Sequence, residues 1–274
     1  MVVSTLALVG FGSLPESKTI WKAGTMRLVA FDLDDTLAPS KSPLPDFMAA
    51  ALTELLDRVE VAVISGGRFE QFQKQVLSRL STNLEKLHIL PTCGTRYYRY
   101  EGEWRMLYAN DLSTDQRQRV FVAIEKQAKK LGLWEEKTWG KKIEDRGSQV
   151  TFSALGQLAP IEAKRAWDPS GQKKARLAAA LAPELPDLEV RSGGSTSVDI
   201  TLKGVDKAYG MNRLVQMSGI GKEQMVFVGD RLDEGGNDYP VVSTGIPCVS
   251  VASPEETAKW ISEFISSFDA EPTY

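Results

Sequence analysis

The sequence predicts an α/β fold: a parallel sheet covered by helices on both faces, with a separate α+β unit inserted near the middle of the chain. Three observations carry this. At both ends of the chain, short continuous apolar runs alternate with segments of helical periodicity, the pattern of strands buried on both faces. The middle instead alternates about a tight turn, as hairpins do. At 274 residues the chain is also longer than one compact core needs, which leaves room for a second unit.

Taken in order, residues 2–12 are an apolar run of 11, too short for the roughly 20 residues of a spanning helix. No basic residues precede the run, as they do in an export signal. Residues 1–25 read either as an extension upstream of a start at Met26 or as an extra element packed on the core. Residues 28–33 (LVAFDL) form a buried strand ending in carboxylates, and 46–59 place Phe47, Ala50, Ala51 and Leu55 at helical spacing. Residues 61–64 (VAVI) are a second buried strand, broken by Ser65-Gly66-Gly67, and 69–80 return to helix. Residues 97–108 alternate about a Glu101-Gly102 turn, a hairpin assigned to the inserted unit. Its Tyr97, Tyr98, Tyr100, Trp104 and Tyr108 pack on the sheet of that unit or, in the sharper reading, on a second copy. Residues 112–131 are an amphipathic helix, 149–155 a strand, 171–181 a helix, and 188–191 and 197–202 are extended. After Asp206 the first pattern resumes: helix over 207–217, strands over 225–228 and 248–251, and a closing helix over 254–268. The expected division is a leader over 1–25, a core over 26–95 and 196–274, and the insert over 96–195. His88, outside every motif, is assigned a structural role.

Thirty-three basic against 36 acidic side chains leave a net charge of −3, so there is no surplus to neutralise a nucleic-acid backbone. Two cysteines, Cys93 and Cys248, cannot build a disulfide framework or a zinc site, which suits a reducing cytoplasm. The expectation is a soluble cytoplasmic protein without nucleic-acid or membrane partners, either a monomer or a dimer through the inserted unit.

The residues that carry chemistry sit at strand ends. Asp32-Leu33-Asp34-Asp35-Thr36 follows the first buried strand, and alternate residues of an extended segment share a face, so Asp32 and Asp34 can project together over the end of the sheet. Open parallel sheets bind ligands there. Two carboxylates so placed are costly without a cation, and hard oxygen ligands select magnesium. One can then attack phosphorus while the other handles protons. Asp35 and Thr36 equally suit a helix cap. Ser65-Gly66-Gly67-Arg68 offers a hydroxyl and glycine N–H groups as an anion cradle, or a plain turn. Asp230, after the strand at 225–228, adds an acidic ligand; Asn237 and Asp238 offer support around it. Lys207 offsets crowded carboxylates and a transferring phosphate, or is a surface lysine.

Asp32-x-Asp34-x-Thr36, Ser65, Lys207 and Gly229-Asp230 with Gly235-Gly236-Asn237-Asp238 resemble the four motifs of the haloacid dehalogenase superfamily of phosphotransferases, over about nine-tenths of the chain. The resemblance implies a Rossmann-like parallel-sheet core with an inserted α/β sandwich cap. It implies a nucleophilic Asp32, a general acid/base Asp34, magnesium held by Asp32, the Asp34 carbonyl and Asp230, and a phosphoryl group held by Ser65 and Lys207. The Gly-Gly-Asn-Asp ending, residues 146–157 and residues 193–199 are similar to eukaryotic-type phosphomannomutases and their bacterial relatives. Carried over by position, the substrate contacts are Lys41, Gly66, Arg146, Gln157, Lys164, Ser197 and Asp199.

The departures favour one outcome. Gln157 stands where that family has a phosphate-binding arginine, and Lys41 and Lys164 stand where it has arginines. Lysine cannot form the bidentate fork on phosphate. Arg146 and Lys164 can equally pair with Glu144 or Glu162 on a solvated face. Asp35 replaces a glycine of the family. A mutase must hold a second phosphate while its bisphosphate intermediate turns around. The sequence therefore puts first a magnesium-dependent phosphatase of small phosphorylated sugars, such as mannose 6-phosphate, working through an aspartyl-phosphate. A phosphomannomutase comes second and a non-catalytic sugar-phosphate sensor a distant third.

Overall fold

The computed structural model describes residues 23–193 and 196–269; all but three residues of the expected leader lie outside that range. In chain order the first half holds β1 (Leu28–Asp32), α1 (Asp46–Arg58), β2 (Glu60–Ile64), α2 (Phe69–Phe72, continued by a π turn over Gln73–Leu77), β3 (Leu87–Leu90), β4 (Arg96–Tyr100), β5 (Trp104–Ala109) and α3 (Thr114–Lys130). Then follow β6 (Ile143–Asp145), β7 (Gln149–Ser153), α4 (Ile161–Trp167), α5 (Gln172–Leu181), β8 (Leu188–Ser192) and β9 (Ser197–Leu202). The last segment holds α6 (Lys207–Ser218), β10 (Met225–Gly229), α7 (Tyr239–Val242), β11 (Cys248–Ser250) and α8 (Pro254–Asp269).

The strands form a seven-stranded sheet, β11-β10-β1-β2-β3-β4-β5, and a four-stranded one, β6-β7-β9-β8. From β11 to β3 the first sheet is parallel. Every residue of β1 and β10 is buried, which is why they read as unbroken apolar runs. Met48, Leu52 and Leu55 of α1 join Ile261, Phe264 and Ile265 of α8 under one face. Met211 and Leu214 of α6 cover the other. Strand order reverses between β1 and β10, so their carboxyl ends open the crevice where such sheets bind ligands. The second sheet is antiparallel and buries Val150, Phe152, Val198 and Ile200 against Val120 and Ile124 of α3 and Leu177 and Leu181 of α5. Among the described residues no helix is long and apolar enough to cross a membrane.

Two expectations are corrected. The hairpin β4–β5 does not belong to the second sheet: it pairs with β3 through Ile89 and Tyr98 and extends the first. Its aromatic cluster accordingly packs on the core, where the Tyr98 ring stacks on Phe69 of α2 with centroids 3.9 Å apart. Residues 197–202, assigned to the core, form β9 inside the second sheet between β7 and β8. Alternation identifies a strand but not which sheet it joins.

His88 is buried in β3, with Nδ1 2.7 Å from the Tyr97 hydroxyl, Nε2 2.5 Å from Glu60 Oε2 and the Arg99 guanidinium against the ring. Burial lowers its pKa from 6.5, and Arg99 acts in the same direction. The unfolded chain therefore takes up this proton first, and the linked stability is lost as pH falls below 6.5. Glu60, whose pKa is lowered from 4.5 chiefly by its bond to His88, adds a similar loss only at more acidic pH. The melting temperature should decline between about pH 7 and pH 5.5, and His88→Gln should flatten that decline; equal slopes in both proteins would contradict it.

Candidate active site

Asp32 closes β1 and is buried, and Asp230 follows β10 on the neighbouring strand. Lys207 reaches Asp32 from the first turn of α6. Asp206 caps that helix by accepting from the Tyr209 N–H at 2.9 Å. The helix lies against the turn after β3 because Gly210 has no side chain: a Cβ there would stand 2.6 Å from the Cys93 carbonyl oxygen and 2.4 Å from Ile64 Cδ1. Lys207 Nζ, wholly buried, sits 2.6 Å from Asp32 Oδ1 and donates to Asp238 Oδ1. The other Asp238 oxygen accepts from the Arg231 N–H at 3.0 Å, and Thr36 Oγ1 donates to Asp230 at 3.1 Å.

Carboxylate oxygens of Asp32, Asp230 and Asp238 lie within 4.8 Å of one another. One ammonium among three carboxylates leaves an excess of negative charge. Burial pushes the Asp32 carboxyl up to about 7 although Lys207 opposes it. Burial and Asp238 raise Asp230. Burial works against the charge on Lys207, but Asp32 and Asp238 outweigh it and hold its pKa above the ordinary value. An all-oxygen donor set with uncompensated charge fits a small hard divalent cation.

The expected ligands divide. Asp238 is at the cluster among the three carboxylates that could hold a cation, and its oxygens also accept from Lys207 and from the Arg231 N–H, so it serves the lysine as a counter-ion too. Asn237 is exposed and has no hydrogen bond to the cluster. The Asp34 carboxylate is held instead by Gln71 at 3.1 Å, Gln75 at 3.3 Å and the Lys41 N–H at 2.7 Å. Those glutamines, one helical turn apart, had only their spacing to announce them. Asp35 takes a φ of 64°, in the left-handed region that glycine and aspartate tolerate, and its exposed carboxylate accepts from the Ser40 N–H at 3.1 Å.

Ser65 stands one residue beyond the Asp32–Ile64 register pair, and its hydroxyl accepts from the Gly67 N–H at 3.2 Å. The second sheet reaches down to this motif. Arg146 donates to the Gly66 carbonyl at 3.0 Å and to Glu144 at 2.7 and 2.9 Å, while the other Glu144 oxygen is 3.1 Å from Arg68 Nε. Arg146 thus does pair with Glu144, but largely buried rather than on a solvated face. Thr92 and Thr95 of the core and Ser148 share a buried ring of hydroxyl bonds that pins this segment down. Lys164 makes no ion pair with Glu162: its ammonium donates to the Gln157 carbonyl at 3.1 Å and lies beside Lys41, and burial and that second cation lower its pKa. The Gln157 Nε2 is buried without a partner. Asp199 accepts from Thr151 at 2.7 Å, and Gly193 lies so close that a Cβ would stand 2.4 Å from Asp199 and 2.8 Å from the Ser197 hydroxyl. A cavity of about 670 Å³ opens along Arg68, Phe121, Lys141, Glu144, Gln157 and Leu158.

Replacing Lys207 by methionine keeps the side-chain length but strands two buried carboxylates. Denaturant unfolding without added metal should show a loss of about 3–5 kcal/mol, largely restored when Asp238→Asn is added. A loss under about 1 kcal/mol, the range of an exposed ion pair, would contradict this charge balance.

Residues 29–271 match the family of haloacid dehalogenase-like hydrolases. The phosphomannomutase of Saccharomyces cerevisiae is 27% identical over 250 residues, covering 87% of this chain and 94% of the yeast protein. That of Spinacia oleracea is 25% identical over 86% of this chain and 94% of its own. Among solved structures, a haloacid dehalogenase-like hydrolase from Bacteroides thetaiotaomicron superposes with a TM-score of 0.64 at 15% identity, over 87% of this chain and 99% of that one. The IMP-bound, N-terminally truncated IMP-nucleotidase of Plasmodium falciparum gives 0.62 at 16% identity, over 88% of this chain and 68% of that one. With a match that runs through both sheets and every strand-end motif, this chain belongs to the haloacid dehalogenase-like hydrolases.

Proposed function

We propose that the chain is a magnesium-dependent phosphotransferase of hexose phosphates that works as a phosphomannomutase, with the cytoplasm as its compartment. The observation that carries this reading is the pair Lys41 and Lys164. Burial first, and then the ammonium of Lys41 on the loop after β1, lower the pKa of Lys164 on α4, and among the described residues neither lysine has a carboxylate within ion-pair distance. Like charges held together are a cost that an anion repays. The nucleophile already has its own phosphate cradle, so a second anion site suits a substrate that carries two phosphates in turn. Relatives named phosphomannomutase support the same reading.

In this reading Asp32 attacks phosphorus in line and becomes the aspartyl-phosphate. Asp34, fixed by Gln71, Gln75 and the Lys41 N–H, gives its proton to the departing sugar oxygen and then takes one from the hydroxyl that accepts the phosphoryl group. Lys207 and Ser65 hold the phosphoryl oxygens, and Asp238 holds Lys207. Magnesium would be held by Asp32 and Asp230 and, when bound, would supply neutralising charge for the phosphoryl oxygens. The polar face of the second sheet, with Arg146, Ser197 and Asp199, reads the sugar and excludes water.

Hydrolysis, favoured by the sequence alone, is the second reading. Gln157 supports it: its unpartnered Nε2 offers one neutral donor where a guanidinium would offer a charged fork. Phosphorus NMR with magnesium and mannose 6-phosphate separates the two. Mannose 1-phosphate should appear once a trace of glucose 1,6-bisphosphate is present, and Gln157→Arg should raise the ratio of isomerised to hydrolysed product about tenfold. Inorganic phosphate growing alike with and without the bisphosphate would replace the mutase by a phosphatase. Magnesium should also raise the melting temperature, and Asp230→Asn should abolish that shift; an undiminished shift would remove Asp230 from the metal site.

A further inference from the structure

We infer that Arg191, which no motif marks, is a substrate-binding residue whose guanidinium, beside Asp199, donates to the oxygens of the sugar phosphate presented to the second sheet; this rests on the sugar-phosphate reading above.

Glu144 pairs with Thr151, Thr151 with Asp199, and Asp199 with Arg191. Directly paired residues share a face, so these four form one row across β6, β7, β9 and β8. The Thr151–Asp199 hydrogen bond of 2.7 Å lies along that row. Their neighbours Val150, Phe152, Val198 and Ile200 point to the opposite face, against α3 and α5. The row therefore lies on the face turned away from α3 and α5, buried at Thr151 and exposed at Arg191.

Charge then selects Arg191. The strands put three carboxylates on this face: Glu144, Glu189 and Asp199. Glu144 is already matched by Arg146 and Arg68. An anionic substrate approaching Asp199 and Glu189 meets repulsion unless a cation stands with them, and Arg191 is the one basic residue that the strands place on this face among the described residues. Its side chain is 45% exposed; Nη1 donates to the Val205 carbonyl at 3.1 Å and Nε lies 3.5 Å from Glu189. The remaining donor edge is available, and a guanidinium suits phosphate and hydroxyl oxygens.

Burial pushes the Cys93 thiol up to about 11, and the charges that act on it belong to Lys207 and Asp32 of the core and to Asp199 and Arg191 of the second sheet. The Cys93 N–H donates to the Ser65 carbonyl at 2.9 Å, so this thiol stands beside the phosphate motif.

The test is calorimetric binding, in magnesium, of glucose 1,6-bisphosphate and of orthovanadate, which needs only the cradle at Asp32. Arg191→Gln should weaken the bisphosphate about tenfold and vanadate much less, with Arg191→Lys in between. Equal weakening of both ligands together with a lowered melting temperature would overturn the assignment and make Arg191 a staple on Val205. So would unchanged affinity for the bisphosphate. A wild-type protein that binds vanadate but not the bisphosphate would instead overturn the sugar-phosphate reading, and this inference with it.

Discussion

One buried ammonium group sets the terms for the rest of this structure. Lys207 cannot be taken out of water alone, so Asp32 and Asp238 must meet it. Bringing a helix start to the end of β1 requires the close approach that Gly210 permits, and holding Asp238 still requires the Arg231 N–H. With Lys207 shared between two carboxylates, the charge of Asp230 is left over beside Asp32, and burial then raises both carboxyl groups. A place for a divalent cation is thus a consequence of how the lysine is satisfied.

The core was legible because its strands are buried on both faces and end in residues that apolar runs do not tolerate. β1, β2 and β10 stand out for that reason. β3 did not: four residues with a histidine among them carry no period, and His88 is admissible there only because Glu60 and Tyr97 close around it. The hairpin was legible as a hairpin, yet nothing in its alternation says that Tyr98 lies on Phe69. In the site, the motifs named Asp32, Asp230 and Lys207, but the role of Asp238 as counter-ion of the lysine appears only once both its oxygens are traced. Arg146 looked equally able to lie on a solvated face until its bond to Gly66 crossed between the two sheets.

The first sheet carries the strand-end carboxylates, and the second carries a polar face. There a polar face is held over the phosphate motif by hydroxyls at Thr92, Thr95 and Ser148 and by Arg146. Under the mutase proposal, whether a phosphoryl group passes to a sugar or to water is decided by how firmly that face retains the sugar. A difference of about 1.4 kcal/mol changes such partitioning tenfold, the scale of one charge-assisted hydrogen bond. Under the same proposal, Lys41, Lys164 and Gln157 bear directly on that outcome.

The claim on which all of this rests is that Asp32, and not its neighbour Asp34, carries the phosphoryl group. Brief incubation with magnesium and a hexose phosphate, acid quenching, borohydride reduction of the acyl phosphate and peptide mass mapping would locate it. The account predicts the reduced residue at position 32, absent from Asp32→Asn and present, though slower to form, in Asp34→Asn. Reduction at Asp34, or turnover of the substrate by Asp32→Asn at the wild-type rate, would contradict it.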